Sequence, residues 1–115
     1  MNKRQVGNAY EILAADYLRR QGYEILEQNF YCRGGEIDLI AREGEYLCFV
    51  EVKYRTGEDY GFPEEAVTFG KQQKMIRAAR YYLMKYGYSM DTSCRFDVVA
   101  VCGEKITLYR NAFGE

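Results

Sequence analysis

The sequence predicts an α/β domain, a mixed central sheet flanked by α-helices with elements in the order αβββαββ. Three observations carry that expectation. Two stretches have helical apolar periodicity, and strand-like runs follow them in blocks of three and two. The run Tyr46–Val50 is apolar on both faces, as a strand covered on both sides should be. No repeat or linker divides the 115 residues, so residues 1–115 form one domain.

Each element follows from local pattern. In residues 3–21, at roughly 100° per residue, Val6, Tyr10, Leu13, Ala14, Tyr17 and Leu18 share one stripe. Gly22 ends this helix. Tyr23–Tyr31 reads as a first strand, broken at Gly34-Gly35. Glu36–Arg42 and Glu45–Tyr54 read as a hairpin, with Glu43-Gly44 as its tight turn. Arg55–Glu65 is a polar loop. Thr68–Tyr86 is a second helix with Met75, Ile76, Ala79, Tyr82, Leu83 and Tyr86 inward and Lys74, Arg77 and Arg80 outward. Arg95–Val101 and Lys105–Tyr109 form a last pair of strands around Gly103-Glu104.

Composition narrows the chemistry. There is no His, which removes Ser-His-Asp and Cys-His hydrolase schemes and the usual mixed zinc sites. The four cysteines show no C-x-x-C spacing, and Cys48 and Cys102 sit in apolar runs, so reduced structural thiols are expected. The longest apolar runs are far short of the ~20 residues that cross a bilayer. Met1–Tyr10 carries charges and no apolar core of a signal segment, so a cytoplasmic protein is expected. The net charge of −1 gives no global basicity, so contact with phosphates would need a local basic face.

One constellation remains that can carry chemistry. Residues two apart in a strand share a face, so Glu51 pairs with Lys53 and Glu36 with Asp38. With Glu43-Gly44 as the turn, Glu36 falls opposite Glu51, and Asp38 is the diagonal neighbour of Glu51 at ~7–8 Å. Three acids and a Lys where apolar residues would be expected conflict with good folding, as functional sites do. Carboxylate oxygens suit Mg²⁺ or Mn²⁺, and an ion so held suits phosphodiester hydrolysis, with the Lys ammonium as a point charge on water or phosphate. The competing reading is a solvated patch in which Glu51 and Lys53 form a weak surface pair.

Asp38, a twelve-residue spacer and then Glu51-Val52-Lys53 resemble the signature of the PD-(D/E)xK nuclease superfamily, and particularly archaeal Holliday junction resolvases. From about Gln5 to Val101 the chain is also similar to the YraN-like family of small bacterial proteins. The likeness rests on Glu11, Gln28-Asn29-Phe30, Gly35–Ile40, Phe49–Arg55 and Arg95–Val99. Ile37 stands where the superfamily's name has Pro, a departure common in resolvase-like members. The resemblance implies a restriction-endonuclease-like fold and a Mg²⁺- or Mn²⁺-dependent endonuclease. Asp38 and Glu51 would be metal ligands, Glu11 a further ligand, and Asp38, Glu51 and Lys53 the catalytic set.

Around this set, Arg55, Lys71, Gln72, Lys74 and Arg77 are candidates for contact with nucleic acid, with Gln72 close to the inner stripe. Tyr81 and Tyr88 are candidates for base stacking, whereas Tyr82 and Tyr86 are expected in the core. Asp97 is expected to lock Arg95 or another basic group. The expected partner is DNA, branched or damaged, with no membrane and with either one chain or a homodimer as the working unit. A non-cutting nucleic-acid-binding module of the same fold is the alternative. A protein-interaction domain using its Tyr-rich surface ranks third.

Overall fold

The structure is a computed structural model that describes residues 3–55 and 67–114, with the backbone alone for residues 3–7 and Arg55. Helix α1 spans Lys3–Arg20, strands β1, β2 and β3 span Glu24–Cys32, Gly35–Glu43 and Tyr46–Arg55, and helix α2 spans Phe69–Lys85. Strands β4 and β5, Cys94–Cys102 and Lys105–Phe113, complete the domain. The strands form one sheet in the order β1-β2-β3-β4-β5, antiparallel throughout except for the parallel pair β3–β4. That pair needs a long crossover, which contains α2. The order αβββαββ and the mixed sheet are those of a restriction-endonuclease-like fold.

The helices cover opposite faces because β3 is apolar on both. Leu47 and Phe49 pack with Met75, Ile76, Tyr82 and Leu83 of α2, while Cys48 and Val50 pack with Ala14, Ala15 and Leu18 of α1. Burial pushes the Cys48 thiol up to about 12, so it behaves as a small hydrophobe, as expected. The α1 stripe is rotated from the expected one: Ala15 is buried, whereas Leu13 is 47% exposed. Paired alanines at the contact let the helix lie close to the sheet. On α2 the inner stripe is as expected except that Tyr86, at the C-cap, is exposed and Ala78, in mid-helix, is also buried. Among the described residues no helix is long and apolar enough to cross a membrane.

Two corrections concern strands. Glu43 pairs with Tyr46, so the hairpin loop is Gly44-Glu45 rather than Glu43-Gly44. Gly44 has φ 58, the conformation a type II′ turn requires at its first central residue. The register therefore moves by two residues. Leu39↔Val50 is the last ladder pair, and one step further Asp38 falls beside Glu51 rather than diagonal to it. Strand β5 also runs four residues past Tyr109, through a register shift opposite Phe96/Val98. Asn111, at φ 54, makes that bend and donates its N–H to Asp97, and Phe113 then stacks on Phe96 at 5.0 Å. The loop residues 56–65 lie outside the described residues.

Candidate active site

The pleat of β2 is interrupted at Asp38. Ile37 and Ile40, three residues apart, both pack under α2, while Leu39 and Ala41 pack under α1. Strict alternation would not allow this. Beyond Leu39↔Val50 the β2–β3 ladder ends, leaving the β2-facing backbone donors of β3 without a ladder partner while its other edge stays paired with β4. Asp38 fills one such gap: Val52 N–H donates to its Oδ2 at 2.9 Å. The carboxylate is thereby held at the open end of the hairpin.

Glu51 lies beside it and is 5% exposed. Its Oε2 is buried and has no hydrogen-bond partner among the described residues. Lys71 Nζ stands 3.6 Å from that oxygen and 3.6 Å from Glu36 Oε1, close enough for ion pairing and too far for a hydrogen bond. Burial first, and then contact with Asp38, push the Glu51 carboxyl up to about 8, against the pull of Lys71 and Lys53. Glu11 is raised as well, by burial and then by the charge of Asp38, with a hydrogen bond from Asn29 opposing. Carboxylates are thus crowded at one point, and burial and mutual repulsion outweigh the neighbouring ammonium groups at Glu51.

These groups line a cleft of about 290 Å³. Tyr10 and Glu11 enter it from α1, Glu36 and Asp38 from β2, Glu51, Lys53 and Tyr54 from β3, and Thr68 and Lys71 from α2. Its β3 residues, 51–54, lie toward the C-terminal end of that strand, the end at which α/β sheets characteristically bind ligands. Lys71 reaches it because α2 docks on the start of β2. A Cβ at Gly35 would sit 2.8 Å from the Lys74 carbonyl oxygen, so only glycine permits this approach. Thr68 caps α2 by accepting the Lys71 N–H at 3.2 Å.

The sequence-predicted residues are therefore divided. Asp38, Glu51, Lys53 and Glu11 converge, together with Lys71, which joins the acids rather than an outer basic face. Gln72 braces the helix start by donating to the Val67 carbonyl at 2.9 Å and does not line the cleft. Lys74 lines a neighbouring cavity, Arg77 is exposed beside Gly34, and the side chain of Arg55 lies outside the described residues. Sequence reasoning missed Lys71 as the cleft cation and Tyr10 and Tyr54 as its aromatic edge. The available signal was a Lys in the first turn of α2, where the helix dipole disfavours positive charge.

Oxygen-only donors suit a hard divalent cation, and an orphaned buried carboxylate oxygen is the feature such an ion would satisfy. Among the described residues no three acidic or Cys side chains stand ready as a closed metal cage. The donor set is a carboxylate pair with Glu11 nearby, which fits an ion that retains several waters.

Comparison with known proteins places the chain in a family. Residues 10–101 match the model described as "Uncharacterised protein family UPF0102". The chain is 53% identical over 113 residues to a UPF0102 protein of Lachnoclostridium phytofermentans, covering 98% of this chain and 96% of that one. Identity is 45% over 119 residues to a UPF0102 protein of Vibrio campbellii (99% and 96% covered) and 42% over 116 residues to one of Clostridium botulinum (96% and 94%). The chain belongs to the UPF0102 family.

Proposed function

We propose that this domain is a divalent-cation-dependent endonuclease that hydrolyses phosphodiester bonds in DNA. The observation that carries the proposal is the buried Glu51 Oε2, which lacks a hydrogen bond among the described residues and lines a cleft beside Asp38. A buried carboxyl oxygen with no hydrogen bond, and with an ion-pair partner shared with Glu36, is costly to the fold, and its retention points to a ligand. Mg²⁺ or Mn²⁺ would be held by Asp38 and Glu51, with Glu11 as a third acid, and would activate water and offset charge on the phosphate. Asp38 supplies its ligand oxygen from a fixed position, because Val52 N–H already holds the other oxygen. Lys53, on the same strand face as Glu51, presents a compact positive charge to the attacking water or the scissile phosphate. The Lys71 ammonium, shared between two carboxylates, has N–H capacity left for a phosphate oxygen. The likeness of Asp38…Glu51-Val52-Lys53 to the PD-(D/E)xK signature supports the same reading.

One observation favours a second reading, a DNA-binding module that does not cut. Lys71 already gives Glu36 and Glu51 an internal counter-ion. Lys53→Ala separates the two. Incubated with four-way junction, flap, single-stranded and linear DNA in Mg²⁺ or Mn²⁺, wild type should cleave and Lys53→Ala should lose cleavage while still binding Mn²⁺. Retained DNA binding with no cleavage of any substrate by wild type would establish the second reading instead.

A further inference from the structure

The cleft has an aromatic rim for which the hydrolytic chemistry has no use. Tyr10 and Tyr54 lie parallel, with ring centroids 4.6 Å apart and planes at 5°. Both rings line the same cleft as Glu51 and Lys53, and Tyr54 is 49% exposed. Tyr10 packs against the α1-side core and Tyr54 stacks on it half exposed, so the stack is preformed and Tyr54 offers surface to a third planar group. Beyond the acids, a second cavity of about 320 Å³ continues the path. It shares Glu36 and Lys71 with the first and is otherwise lined by Tyr31, Cys32, Gly35 and Lys74. Tyr31 is 64% exposed. The order along this groove is therefore aromatic, acid cluster, ammonium, then ammonium and aromatic.

Grooves that hold single strands alternate in this way, with cations along the backbone and rings against the bases. A base pair within a duplex keeps its faces stacked on its neighbours and offers none to a protein ring. We propose that the groove takes a strand with unpaired nucleotides at the reacting position. One base stacks on the Tyr54–Tyr10 pair, the phosphate lies at Glu51, Lys53 and Lys71, and the strand continues past Lys74 to Tyr31. This assignment rests on the phosphodiester reading of the cleft and specifies its substrate: single strands, gaps, flaps and junction arms rather than intact duplex.

The test measures binding apart from cleavage. Fluorescence anisotropy of a labelled single-stranded oligothymidine, the same oligonucleotide with abasic sites, and a blunt duplex is recorded in Ca²⁺ and in EDTA. Wild type should prefer the oligothymidine to both other probes. Tyr54→Ala should weaken oligothymidine binding roughly ten- to a hundredfold, and Tyr31→Ala by a similar or smaller factor, from the worth of one stacked base. Tyr54→Phe, which keeps the ring, should bind as wild type does, and Tyr54→Ala should leave abasic binding unchanged. Equal affinity of wild type for oligothymidine and abasic probes, or for single strand and duplex, would overturn the proposal. So would unchanged oligothymidine affinity in Tyr54→Ala. The two readings fail separately. Ring-dependent binding with no cleavage of any DNA sinks the nuclease and leaves the groove. Cleavage of duplex and single strand alike, insensitive to Tyr54, sinks the groove and leaves the nuclease.

Discussion

Glu51 and Glu43 are displaced in opposite directions from the ordinary carboxyl value of 4.5, and the signs give opposite pH dependences. Glu51 is raised to about 8, chiefly by burial, so between pH 4.5 and 8 the folded state holds a proton that the unfolded chain has lost. Metal-free stability should therefore fall as pH rises through that window, and Glu51→Gln should remove the fall. Glu43 is lowered to about 2 by its hydrogen bonds with Arg110 and Arg95. Its contribution is present above pH 4.5 and is lost as the pH drops toward 2. Thermal melts in EDTA from acid to mildly alkaline pH should show both limbs, with the alkaline one absent in Glu51→Gln. An alkaline limb of equal size in Glu51→Gln would remove the buried carboxylate from the account of the site. The acids themselves were legible in the sequence because Glu51 breaks an apolar run that otherwise calls for a core residue. Lys71 was not, since its contacts with Glu36 and Glu51 depend on how closely α2 docks, which helical periodicity does not encode.

At the level of elements, the docking of α2 on β2 depends on a single missing side chain. Gly35→Ala would drive a methyl group against the Lys74 carbonyl, where backbone must yield. The expected cost is about 1–3 kcal/mol by denaturant titration, as for other overpacking changes. A loss of DNA binding should accompany it as Lys71 and Lys74 move. The same change at Gly70, whose added Cβ would meet nothing within 4 Å, should leave binding unaltered. Element order and the double burial of β3 were readable from periodicity, because burial on two faces demands a continuous apolar run. The hairpin register was not: Glu43-Gly44 and Gly44-Glu45 both suit a two-residue turn in composition, and only the Gly44 backbone conformation decides between them. The extension of β5 was hidden for a similar reason, since a bulge at Asn111 breaks the alternation by which strands are recognised.

Across the whole molecule, the contrast between two buried acids separates structure from function. Asp97 is fully buried on the α1 face of the sheet and richly satisfied, accepting from Tyr23 Oη at 2.7 Å, Arg95 Nε at 2.9 Å and the Asn111 N–H at 2.8 Å. Arg95 and Arg110 then converge on Glu43, so one network ties β1's approach, β2, β4 and β5 together. Asp97→Ala should cost about 3–5 kcal/mol, because it breaks the buried pair with Arg95 and removes the acceptor that Tyr23 and Asn111 share with it. Asp38→Asn retains an oxygen for the Val52 N–H and should unfold at nearly the wild-type temperature. Glu51 has the opposite character, buried with an oxygen that no described residue hydrogen-bonds and that the shared Lys71 ammonium approaches. The central claim is that a divalent cation completes this deficit. Calorimetric titration of Mn²⁺ into wild type, Asp38→Asn and Glu51→Gln tests it most directly. Saturable binding in wild type, strongly weakened in both variants, is expected; equal affinity in all three proteins would contradict the claim.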